Sequence, residues 1–182
     1  MKKEGLVMVK LRNILDFSKD LLVALLAALL VIRFVAMHTE VPSGSMIPTI
    51  MIKDHLIVSP FTAYGREPEV GEIVIFYEGD ERLVKRLIAK SGDTVDLQNG
   101  DVYVNGEPLD ESAYVRYEHK TYPFSWSDIE FPYVVPEGSY WVMGDNREES
   151  ADSRVFGAIE SDKIIAIGGF RIYPFDTIGV LK

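Results

Sequence analysis

The sequence predicts a mainly β protein: an antiparallel β-sheet domain over residues 40–182, preceded by one N-terminal transmembrane helix. Three observations carry this. Beyond residue 40 short β-like runs alternate with Gly, Pro, Asn and Asp. Asn99-Gly100 and Asn105-Gly106 sit between or after such runs, where tight hairpins need positive φ. Before residue 40, the stretch from Leu21 to Thr39 holds a single charge, Arg33, and begins LLVALLAALLVI.

Residues 1–20 read as a cytoplasmic tail. Lys2, Lys3, Lys10, Arg12 and Lys19 all precede the apolar run, and lysine and arginine flank the inner end of membrane helices. Residues 21–39 read as the span itself, short against the ~20 apolar residues that cross a bilayer, with Arg33 snorkelling to the outer headgroups. A cleaved leader fits less well, because the run leads into Val-Ala-Met-His-Thr-Glu, where pairs of small residues for positions −1 and −3 are poor. Residues 40–182 are then extracytoplasmic. Their strands are expected at His55–Ser59, Gly71–Tyr77, Arg82–Ala89, Thr94–Leu97, Val102–Val104, Tyr140–Met143 and Lys163–Tyr173. The stretch 110–132 is polar and aromatic without a period, and reads as an insertion or extended loop.

Charge divides along the chain. Six Lys or Arg stand against Glu4, Asp16 and Asp20 before residue 39, a balance of +3; the whole chain carries −9, so the remainder carries −12. So acidic a domain repels phosphate backbones, which excludes nucleic acid, while the basic start suits an anionic lipid surface. With no cysteine there are neither disulfides nor thiolate metal sites.

Candidate chemistry begins directly after the apolar run, at Val41-Pro-Ser-Gly-Ser-Met-Ile-Pro-Thr49. Prolines on both sides suggest an extended strip, and in an extended chain residues two apart share a face, so the hydroxyls of Ser43 and Ser45 should converge. A nucleophilic serine needs a base. His38 abuts the apolar run, His55 lies beside Asp54 and His119 falls in the insertion, and none is suited. Lysine serves when burial brings its pKa to roughly 7–8. In Leu83-Val-Lys-Arg-Leu-Ile-Ala89 a period of two sets Lys85 on an apolar face with Leu83, Leu87 and Ala89, and Arg86 on the opposite face.

A third cluster is Gly144-Asp-Asn-Arg-Glu-Glu-Ser-Ala-Asp-Ser-Arg154. Asp145 and Asp152 can pair with Arg86, Arg147 or Arg154, and Ser150 can hydrogen-bond the lysine amine. Calcium binding by Glu148, Glu149 and Asp152 is disfavoured by the neighbouring arginines and by the absence of a calcium-loop rhythm, so no metal is expected.

Taken together, PSGSM-x-PT, LVKR followed by GD, and GDNR-x-x-S-x-DSR closely resemble bacterial type I signal peptidases in order and spacing. The likeness runs from about residue 16 to the RIYPFDTIGVL tail. It implies a β domain of the signal-peptidase type in the compact single-anchor form. Ser45 would be the nucleophile, Lys85 the general base, and Ser43 with the Ser45 N–H the oxyanion hole. Ser150, Asp145, Asp152, Arg86, Arg154 and Gly144 would support the site. Shallow pockets for small residues at substrate positions −1 and −3 would lie near Val41, Pro42, Met46, Leu83 and Val84. The implied activity is cleavage of signal peptides from secretory preproteins at the outer face of a bacterial membrane, without a cofactor, the partners being those preproteins and the bilayer. One departure is Lys90-Ser91, where the family commonly continues Gly-Leu-Pro. Relatives of the endoplasmic reticulum carry histidine at the position of Lys85.

Overall fold

The computed structural model describes residues 2–116 and 120–181, with the side chains of 2–11 and 32–34 outside that description. The chain divides into two compact units, 1–37 and 38–182.

The first unit is a single helix, α1 (Lys2–Phe34). It does not begin at residue 21: the tail before it is rich in Lys and Leu, both good helix formers, and is helical too. Nor does it reach residue 39. The amides of Val35 and Ala36 both donate to the Val31 carbonyl, which closes the helix, and strand β1 (Met37–Glu40) follows. Among the described residues no helix is long and apolar enough to cross a membrane. The expected snorkelling of Arg33 and the surroundings of His119 lie outside the described residues.

The second unit is antiparallel β. After β1 come β2 (His55–Val58), a short helix α2 (Phe61–Gly65), β3 (Ile73–Glu78), β4 (Glu81–Ala89), β5 (Thr94–Gln98) and β6 (Asp101–Val104). There follow β7 (Glu107–Pro108), β8 (Tyr133–Val134), β9 (Ser139–Met143), α3 (Ser153–Phe156), β10 (Ile159–Glu160), β11 (Ile164–Ile167), β12 (Gly169–Tyr173) and β13 (Gly179–Leu181). They form three sheets, ordered β1-β2-β12-β13, β10-β9-β4-β3-β11 and β7-β6-β5-β8. The run expected as one strand from Lys163 to Tyr173 is two strands in different sheets, divided at Gly168, whose φ of 67° a strand interior does not accommodate.

The five-stranded sheet holds the site, because it is buried on both faces. Val74, Phe76, Leu87, Tyr140 and Val142 pack into one apolar cluster, and Ile88, Ala89, Trp141 and Met143 into another. That is why Tyr140–Met143 reads as continuously apolar. The alternation expected for β4 fails at its end: Ala89 joins the cluster opposite Leu87, because the pairing with β9 shifts register between them. Residues 110–132 contain turns but no helix or strand among those described, and they link β7 to β8.

Candidate active site

The segment carrying Ser43 and Ser45 is not extended. It is a series of turns closed by Ile47 N–H to the Gly44 carbonyl (3.1 Å) and Ile50 N–H to the Met46 carbonyl (2.9 Å). Buried Val41, Met46 and Ile50 fasten it to the core, and Val41 exchanges backbone bonds with Asp54 and Lys53. Buried anchors spaced four and five residues apart call for chain reversal, and this outweighs the stiffness of the two prolines. The two hydroxyls converge nonetheless, through the turn: Ser43 Oγ lies 3.5 Å from Ser45 Oγ. Ser43 is exposed, whereas Ser45 is buried.

Lys85 stands on β4, paired across to Val74 on β3. It is 2% exposed, and its Nζ donates to Ser45 Oγ at 2.7 Å and to its neighbour's carbonyl, Val84 O, at 3.2 Å. Burial lowers its pKa from 10.5 to about 8, against the opposing pull of the Asp152 and Asp145 charges. A useful fraction of the amine is therefore neutral near physiological pH.

Arg86 points away from Lys85 and is equally buried. Its Nε and Nη2 grip the two oxygens of Asp145 at 2.8 and 2.7 Å, and its Nη1 reaches the Gly71 carbonyl. The Thr49 hydroxyl, from the end of the serine-bearing turn, also donates to Asp145. Arg154 binds Asp152 through Nε and Nη2, both at 2.9 Å. Asp152 Oδ2 also accepts the Gly144 N–H at 3.0 Å. Both aspartates are thus held by arginines.

Gly144 is where the polar loop meets the serine. A Cβ there would come within 2.4 Å of the Ser45 carbonyl and 2.2 Å of Ser150 Oγ, so only glycine fits. The next loop amide but one, Asn146 N–H, donates to Ser45 O at 3.0 Å, and the Asn146 side chain donates to Gly44 O. Ser150 is buried against Gly144 with no hydrogen-bond partner for its hydroxyl among the described residues, so the expected bond to the lysine amine is not made here.

Thr49 and Asn146 carry no assigned role in the sequence reading, and neither do Arg147 and Glu111. Arg147 donates from Nε to the Gly144 carbonyl at 3.0 Å and is clamped by the Glu111 carboxylate, with Nη1–Oε2 at 2.7 Å. Arg147 belongs to the polar loop and was a pairing candidate from composition. Glu111 lies in the aperiodic insertion, and nothing local to its sequence marks it.

A groove of about 460 Å³ opens over the serine and lysine. Val41, Pro42, Met46, Leu83 and Val84 all line it, together with Ser43, Ser45 and Lys85, and Glu40 and Arg82 give it a charged margin. A larger cavity of about 600 Å³, bounded by Arg66, Lys90, Tyr140 and Asp162, contains none of these groups.

Comparison with known proteins gives a consistent result. Residues 14–173 match the family described as signal peptidase, peptidase S26. The chain is 35% identical over 178 residues to a probable signal peptidase I-2 of Synechocystis sp., covering 92% of this chain and 77% of that one. It is 33% identical over 186 residues to signal peptidase I S of Bacillus subtilis, covering 97% of each. Signal peptidase IB of Staphylococcus aureus is 34% identical over 176 residues, covering 90% of this chain and 92% of that one. The chain belongs to the S26 family of signal peptidases, which are serine endopeptidases.

Proposed function

We propose that this serine endopeptidase removes signal peptides from exported preproteins by forming an acyl-enzyme on Ser45, with Lys85 as general base, and that α1 anchors it in a bacterial membrane. The observation that carries the reading is a buried lysine amine 2.7 Å from a serine hydroxyl at the floor of a groove.

In the neutral form, the Lys85 amine takes the hydroxyl proton as Ser45 Oγ attacks the scissile carbonyl. The negative charge that develops on the carbonyl oxygen falls to the Ser43 hydroxyl and the Ser45 N–H. Collapse of this intermediate breaks the C–N bond, and the Lys85 ammonium returns its proton to the departing amine. Water then attacks the ester as Lys85 takes one of its protons; the ester C–O bond breaks, Lys85 passes that proton to Ser45 Oγ, and the signal peptide leaves with the pair restored. The apolar walls formed by Val41, Met46, Leu83 and Val84 suit small side chains at positions −1 and −3. The unsatisfied Ser150 hydroxyl beside Gly144 is a ready partner for the amine as it cycles between its two forms.

Membrane anchoring is supported by the surface of α1. Leu21, Leu22, Val23, Leu25, Leu26, Leu29, Leu30 and Val31 are each more than half exposed, so the stretch 21–31 of the helix is apolar on every side. Such a surface is suited to lipid. A tethered enzyme meets membrane-held signal peptides at a raised effective concentration.

The test is to incubate detergent-solubilised protein with a preprotein and to sequence the new N-terminus. Cleavage after a residue with small side chains at −1 and −3, abolished by Ser45→Ala, is the expected result. Undiminished cleavage by Ser45→Ala defeats the reading.

A further inference from the structure

The insertion, residues 110–132, grips all three buried arginines around the site. The Tyr114 ring lies 4.0 Å below the Arg86 guanidinium carbon. Glu111 holds both terminal nitrogens of Arg147, and the Thr121 hydroxyl accepts from its Nη1 at 2.9 Å. Phe124 stacks 4.7 Å from the Arg154 guanidinium, and the Ser127 hydroxyl donates to the Arg154 carbonyl at 2.6 Å. The grip is directed to groups that themselves hold the catalytic loop.

Its strongest line runs through Glu111. Arg147, fully buried, places its Nε on the Gly144 carbonyl, while its own carbonyl accepts from Arg154 Nη2 at 2.7 Å. Arg154 fixes Asp152, and Asp152 accepts the Gly144 N–H. Both polar groups of the Gly144 peptide unit thus trace back to Arg147, and Gly144 lies against the carbonyl of Ser45. We infer that residues 110–132 act as a clamp on the catalytic loop, with Glu111 as a positioning residue that sets the Gly144–Ser45 contact through Arg147. This rests on Ser45 and Lys85 being the reacting pair.

Without the Glu111 carboxylate, Arg147 is a buried cation deprived of its main partner, and the loop must rearrange to rehydrate it. Either consequence acts on Lys85 in one direction. An uncompensated positive charge nearby, or withdrawal of Asp152 and Asp145, removes support for the ammonium form.

The experiment compares Glu111→Gln, Glu111→Asp and Thr121→Val with the unaltered full chain on one preprotein, following kcat, KM and the pH dependence of kcat/KM. Glu111→Gln should lower kcat about 10-fold, the scale set by small misplacement of reacting groups, and leave KM within about twofold, since Glu111 does not line the groove. The pH midpoint should move below that of the unaltered chain. Glu111→Asp, which keeps the charge, should return the midpoint toward its original value. A lowered melting temperature with kcat and midpoint unchanged makes Glu111 purely structural and overturns the inference. Where Glu111→Gln does not fold, Thr121→Val removes one acceptor from Arg147, and an unchanged kcat in that variant overturns it equally. Ser45→Ala in the same assay separates the two readings: if it still cleaves, the serine–lysine pair has failed, whatever Glu111 does.

Discussion

Lys85 and Arg86 are adjacent on one strand, and both are almost wholly buried, at 2% and 3% exposure, yet the protein handles their charges in opposite ways. Arg86 is given partners for its guanidinium. It meets a carboxylate with matched fork geometry, a carbonyl and an aromatic face, and Asp145 in turn is held by Thr49. Among the described residues, Lys85 hydrogen-bonds a hydroxyl and a carbonyl, neither of which carries charge, and burial lowers its pKa to about 8 against the more distant pull of Asp152 and Asp145. If Lys85 is the base proposed above, the difference implies that burial alone makes none. On the proposed mechanism a base results when burial outweighs the counter-charge within reach, and here burial prevails over the pull of Asp152 and Asp145.

The largest expected effect comes from removing the lysine or its serine. Lys85→Ala and Ser45→Ala should each reduce preprotein cleavage by ~10⁴-fold or more while circular dichroism keeps the native spectrum. Full activity in Lys85→Ala would erase the contrast. Next, Arg86→Met leaves Asp145 buried and unpaired, and chemical denaturation should show a loss of about 3–5 kcal/mol. A smaller effect is expected from Ser43→Ala, a drop in kcat of ~10²-fold to 10³-fold if its hydroxyl donates to the developing oxyanion.

The smallest effect sharpens the comparison most. The folded pKa of Lys85, about 8, lies below its ordinary 10.5, so between these values the unfolded chain binds more protons. The burial penalty is therefore complete below pH 8 and is relieved as pH rises from 8 toward 10.5. Lys85→Met should be more stable than the unaltered chain at pH 7, by about 1–3 kcal/mol, with the gap closing above pH 8. Arg86→Met should show the opposite sign at every pH, since it removes a satisfied charge.

Much of this was legible in the sequence, for identifiable reasons. Asn99 and Asn105 do adopt positive φ, 54° each, and the glycines after them follow at 87° and 85°, so the hairpin signals were sound. Each expected strand region contains a strand because its apolar runs are bounded by such turns. The two-residue strands β7, β8 and β10 carry too little pattern to be read, and their pairing is imposed by neighbours. The pairing of Ser45 with Lys85 was implied by the resemblance of the ordered motifs to signal peptidases; the apolar neighbours of Lys85 alone left it open. The turn that achieves it was not legible, because its cause is the burial of Val41, Met46 and Ile50, a tertiary effect. The grip of residues 110–132 was invisible for a similar reason: Glu111 and Arg147 are distant in sequence, and an ion pair leaves no periodicity.

The central claim, that burial keeps the amine of Lys85 available as a base, is tested most directly by the pH dependence of kcat/KM for cleavage of a preprotein. The rate should rise with pH through a midpoint near 8, and Arg86→Lys should leave the rise in place. A midpoint near ~6.5, the range of histidine, or a profile flat from pH 6 to 10 would contradict it.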